Sequence, residues 1–83
     1  MPDKIELKEL DTYWRERVTV EMDRLTCLVI VGAGILALRH PEYTGPSSLI
    51  LRDTLRRLVP LCYEPVPEAV LREWDQVLHT SFL

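Results

Sequence analysis

Apolar side chains recur every three or four residues through the first half of the chain. Leu7, Leu10, Trp14, Val18, Met22, Leu25, Val29, Gly32 and Leu36 fall along one face of a helix with 3.6 residues per turn. The pattern predicts one long N-terminal helix from about Asp3 to Arg39. Asp3 followed by Glu6 has capping-box spacing, with Asp in place of Ser or Thr; Asp11 or Thr12 offers a second start. The helix is expected to stop near Arg39, because Pro41 disfavours helical geometry at His40.

The segment HPEYTGPSS, His40 to Ser48, packs two prolines and a glycine into a stretch that no regular helix interior tolerates. A second helix should open at Pro46 and Ser47, with Ser47 or Ser48 as its N-cap. Its apolar positions are Leu51, Leu55, Leu58, Val59 and Cys62, flanked by Ile50, Thr54 and Leu61. Pro60 lacks a backbone donor, so this helix kinks or ends there. After the break YEPVPE, Pro67 suits the first turn of a third helix and Glu68 favours its N-terminus. Val70, Leu71, Trp74, Val77, Leu78 and Phe82 form its apolar stripe. The expected fold is all-α: one long N-terminal helix and two shorter ones in a single small domain spanning residues 1–83.

The run LTCLVIVGAGILAL, Leu25 to Leu38, admits three readings. As a dinucleotide-binding turn it fits G-x-G-x-x-A through Gly32, Gly34 and Ala37, with Asp53 placed for a ribose hydroxyl. Yet prolines follow almost at once, the preceding residues read as helix, and 83 residues cannot build a doubly wound sheet. As a membrane span it is short: 14 uncharged residues between Arg24 and Arg39 cover only ~21 Å of a ~30 Å hydrocarbon core. The third reading, a helix covered on most sides, fits best. At ~100° per residue, Thr26, Cys27, Ala33, Gly34 and Ala37 share an arc of roughly 120°, interrupted by Ile30. Such a shallow strip lets another helix approach closely, and close packing would offset the ~1 kcal/mol that each mid-helix glycine costs.

Composition sharpens this. The chain is 47% apolar, yet a domain of this size buries only roughly 60–65% of its unfolded surface. Some apolar side chains must therefore face a partner. An N-terminal helix of ~55 Å would also outrun two helices of ~22–24 Å. A second copy is the economical cover, and Trp14, Val18, Met22, Thr26, Ala33, Gly34 and Ala37 are the expected homodimer interface.

Candidate chemistry is sparse. The net charge of −3 and the pI of about 5.3 argue against a broad nucleic-acid-binding face. Arg52, Arg56 and Arg57, with Arg39 nearby, read either as phosphate contacts or as a solvated basic face. Cys27, His40, Cys62 and His79 match no compact metal-ligand spacing, and no helper residue supports a Cys62–His79 nucleophile pair. No metal, cofactor or enzymatic activity is expected. Two cysteines allow no disulfide framework, and a charged N-terminus does not read as a signal peptide; both point to reduced thiols in the cytoplasm. The stiff loop around Tyr43, with His40, Glu42 and Thr44, could act as a recognition element, since little ordering entropy is lost there on contact. The chain is thus expected to be a small homodimeric regulator, inhibitor or adaptor that docks on another protein through His40, Glu42, Tyr43 and the arginines. A DNA-associated regulator is the rival reading; membrane association is not expected.

Overall fold

The computed structural model describes residues 7–83, with side-chain surroundings from residue 9 onward. Four α-helices follow one another: α1 (Leu7–Arg15), α2 (Arg24–Arg39), α3 (Pro46–Leu58) and α4 (Glu68–Leu78), with a single 3₁₀ turn (Val59–Leu61) continuing α3. There is no strand among the described residues. The capping box expected at Asp3 and Glu6 lies outside them.

The first correction concerns the long N-terminal helix, which is two helices. Residues 16–23 leave the helical conformation between α1 and α2. Val18, Thr19 and Val20 are three consecutive β-branched residues, which crowd the preceding turn of a helix. Val18, Val20 and Met22 also alternate with Thr19 and Glu21, a period of two that suits extended backbone. Val18 and Met22 belong to both periods, so the helical stripe runs unbroken through a segment that is not helical. Asp23 then starts α2 as its N-cap: its backbone is extended (φ −77°, ψ 169°) and its carboxylate accepts the Thr26 N–H at 2.6 Å. The hydrogen bond to Thr26, chiefly through that residue's side chain, holds the Asp23 carboxyl below its ordinary value of 3.8.

α2 ends where Pro41 requires, with His40 in extended backbone and its N–H donated to the Ala37 carbonyl. α3 starts earlier than its serines suggest. Gly45 is the N-cap, at φ 107°, and Pro46 takes the first helical position, where a missing N–H costs nothing. Ser48 is buried instead, and its hydroxyl donates to the Gly45 carbonyl at 2.6 Å. Pro60 ends α3 as an α-helix, and the chain tightens into the 3₁₀ turn there. α4 opens after Pro67 and closes at His79, whose φ of 53° puts it in the left-handed region. Phe82 N–H donates to the Asp75 carboxylate at 2.8 Å, folding the C-terminus back over α4.

The core sits where α2, α3 and α4 meet. It contains Cys27, Val31 and Ile35 of α2, Leu55 of α3, Val59 and Cys62 at the 3₁₀ turn, and Leu71, Trp74 and Leu78 of α4. Gly34 sets the α2–α3 distance: a Cβ built there would lie 2.7 Å from Leu55 Cδ1. The shallow strip is therefore used partly inside the chain. Among the described residues, α1 makes no close backbone contact with any other helix. The radius of gyration of 15.7 Å exceeds the ~12 Å of a compact 83-residue chain.

Candidate interaction surface

α2 is apolar all round, yet α3, α4 and the 3₁₀ turn cover only one side of it. Its outer side presents Leu25 (69% exposed), Val29 (62%) and Leu36 (69%), with Thr26 and Ala33 also exposed. Residues 25, 29, 33 and 36 recur at helical spacing, so they form one stripe. Gly32 lies within it, and a Cβ added there would meet nothing within 4 Å. The stripe thus has a low point between bulky flanks. Monomeric proteins scatter single apolar residues over their surfaces, but a contiguous stripe marks a contact site.

Beside the N-terminal end of α2 a groove of about 570 Å³ opens against the chain after α3. Leu25, Leu28, Pro60, Leu61 and Cys62 line it, with Arg24 and Glu64 at its edges. Of the two thiols, Cys62 lines the groove, and Cys27 shares its hydrogen-bond acceptor. Cys27 Sγ and Cys62 Sγ each lie 3.6 Å from the Leu58 carbonyl oxygen, to which their S–H groups donate. Burial, and after it the neighbouring Cys27 thiol, pushes Cys62 up from 9.0 to about 11. A thiol in that state is a packing group rather than a nucleophile. The groove can take an apolar side chain from a partner, with a charge of each sign at its rim.

The residues expected at a homodimer interface separate in space. Trp14 (71% exposed) packs edge-to-face on Tyr13, with ring centroids 5.2 Å apart. Val18 (83%) and Met22 (41%) stand on the connector between α1 and α2. Thr26 and Ala33 are exposed on α2, while Ala37 is half-buried. Gly34 is a correction: it is buried against Leu55 of its own chain and is not open to a second copy. Leu25, Val29 and Leu36, not among the expected interface residues, are the most exposed apolar side chains of α2. They belong to the same apolar stripe, but sequence cannot say which side of an all-apolar helix stays uncovered.

The arginines expected to contact a partner also meet groups of their own chain. Arg52 Nε donates to the Val77 carbonyl at 3.3 Å and Arg56 Nε to the Leu78 carbonyl at 2.7 Å. Both are half-buried and close the C-terminal end of α4, which has no basic residue in its own last turn. Carbonyls there are unpaired within the helix and carry the negative end of its dipole, so cations from α3 suit them. Arg57 is exposed and pairs with Asp53 at 2.9 Å, and Arg39 pairs with Glu73 of α4 at 3.2 Å. The basic face is largely neutralised within the chain. In the His40–Gly45 loop, His40 Nδ1 accepts the Glu42 N–H at 3.2 Å and Tyr43 N–H donates to the His40 carbonyl at 3.0 Å. His40 and Glu42 are exposed, but Tyr43 is half-buried against its own domain.

No family model, curated protein or solved structure matches this chain.

Cys27 to Val31 are helical, so Gly32 and Gly34 lie inside α2 and not at a strand-to-helix turn. Among the described residues, no helix is long and apolar enough to cross a membrane, and no three His, Cys, Asp or Glu side chains gather as metal ligands.

Proposed function

We propose that this protein is a small, non-enzymatic binding module of the cytoplasm: it pairs with a second copy of itself and docks on a partner protein, which it blocks or positions. The observation that carries this reading is the uncovered apolar side of α2. Burying a leucine or valine fully is worth roughly 1.5–3 kcal/mol. Three such side chains at about two-thirds exposure, doubled by two-fold symmetry, offer a driving force sufficient for association. The groove beside Leu28 and Cys62 supplies the second contact, for an apolar side chain of the partner protein. Two buried thiols without a bridge between them suit a reducing compartment.

The test is light scattering on gel-filtered protein. The wild type should elute at twice its 9.7 kDa chain mass, and Val29→Glu should elute at the monomer mass with its helical circular dichroism intact. A wild type that stays monomeric at micromolar concentration sinks the reading.

A further inference from the structure

We infer that α1 is an exchange arm: in the homodimer, α1 of each copy lies on the uncovered side of α2 of the other. The inference rests on the homodimer proposed above and specifies how it is built. α1 is amphipathic, with Leu10 and Trp14 on one side and Glu9, Asp11 and Arg15 around the other, yet among the described residues it makes no close backbone contact with another helix. A nine-residue helix is marginal in water without something to pack on. Trp14 and Tyr13 are 71% and 63% exposed, and aromatic side chains of this size bury about 150–250 Å² each.

The receiving surface matches the arm in size and chemistry. Leu25 to Leu36 spans ~16 Å along α2, and α1 is ~13 Å long. Gly32 keeps that stripe low, since a Cβ there would meet no other part of the chain within 4 Å, and an aromatic ring can lie close over the helix backbone. The stripe carries no charge between Arg24 and Arg39. The arm brings Asp11 and Arg15 already paired at 3.0 Å, so docking need not strand a charge on an apolar surface. The connector decides the occupant. Residues 16–23 break the helix between α1 and α2, and α1 makes no close backbone contact with its own α2 among the described residues. Reciprocal exchange covers two arms and two stripes with one two-fold axis. Two such contacts, with about 300 Å² from Tyr13 and Trp14 in each arm matched by the stripe opposite, approach the ~1,200–2,000 Å² of a stable interface.

Complementation tests this on the full-length chain. Trp14→Glu spoils the arm and Leu36→Glu spoils the stripe; both positions are exposed, and circular dichroism confirms that each variant folds. In sedimentation equilibrium each variant alone should dissociate about a hundredfold more readily than the wild type. An equimolar mixture should regain part of the dimer, because one of its two contacts joins the intact arm of the Leu36→Glu copy to the intact stripe of the Trp14→Glu copy, with both substitutions confined to the other contact. Val29→Glu replaces Leu36→Glu should the latter disturb folding. If Trp14→Glu dimerises like the wild type, exchange is wrong while the homodimer stands, with α2 pairing on α2. If both variants are monomeric and the mixture stays so, exchange is equally wrong. A monomeric wild type, with α1 folded back on its own α2, overturns both proposals.

Discussion

Gly32 and Gly34 sit two residues apart on α2, and replacing each with alanine separates helix propensity from packing. In a helix interior the exchange favours alanine by about 1 kcal/mol at either site. At Gly32 nothing within the chain opposes this, since the added methyl meets no atom of its own chain within 4 Å, and protein dilute enough to be monomeric removes any contact from a second copy. At Gly34 the methyl would lie 2.7, 2.9 and 3.2 Å from three carbons of Leu55, against an ordinary carbon–carbon separation of about 3.5–4.0 Å. Leu55 is fully buried, between α2 and the rest of the core, so it cannot swing away without displacing its neighbours. Overpacking of that kind costs about 1–3 kcal/mol. Gly34→Ala should therefore unfold at a lower temperature than Gly32→Ala by about 4–24 °C, taking about 4–8 °C per kcal/mol for a chain this short. Thermal melts followed by circular dichroism at one protein concentration give the comparison. Adding Leu55→Val to Gly34→Ala should recover part of the loss, because the two sites are in contact and their effects are not additive. Equal melting temperatures for the two glycine variants would refute the close α2–α3 approach.

Arg56→Ala should lower stability by about 1 kcal/mol, the contribution of a charge-assisted hydrogen bond discounted for partial exposure, whereas Arg57→Ala, which breaks only an exposed ion pair, should leave the melting temperature nearly unchanged. Asp23 is ionised more readily in the folded chain than in the unfolded one. Its stabilising effect is therefore complete above the unfolded value near 3.8 and fades as pH falls through the lower folded value. Asp23→Asn keeps a capping oxygen, so acid titration of helical content should show a shallower loss below about pH 4 in that variant than in the wild type. Cys62, raised to about 11, holds about one thiolate per thousand molecules at pH 8, so iodoacetamide should label it far more slowly in folded than in unfolded protein. The same shift favours folding below pH 9, the unfolded value, and that advantage is lost between about 9 and 11; an alkaline stability series should lose its slope there in Cys62→Ala.

Much of the fold was legible because proline and glycine mark it. Pro41, Pro46, Pro60 and Pro67 bound α2, α3 and α4, and the apolar stripe of α4 correctly named Leu71, Trp74 and Leu78 as buried. The connector escaped because Val18 and Met22 satisfy a period of two as well as a helical spacing, and periodicity alone cannot choose between them. The capping role of Asp23 was the deciding local signal, hidden by a stripe that ran through it. At the candidate surface, Trp14, Val18 and Met22 were recognisable as apolar residues in need of cover. Gly34 was misplaced because a small residue suits a neighbouring helix of the same chain as well as one of another. Arg52 and Arg56 carry no sequence sign of their partners, since the carbonyls they bind lie more than twenty residues away.

The central claim is that a second copy covers the outer side of α2 in solution. Isotope-filtered nuclear Overhauser spectroscopy on a mixture of labelled and unlabelled chains tests it most directly. Cross-copy contacts to the methyl groups of Leu25, Val29 and Leu36 are predicted, with those methyls shielded from a soluble paramagnetic probe. The same methyls free of any cross-copy contact, and fully open to the probe at millimolar protein, would contradict the account.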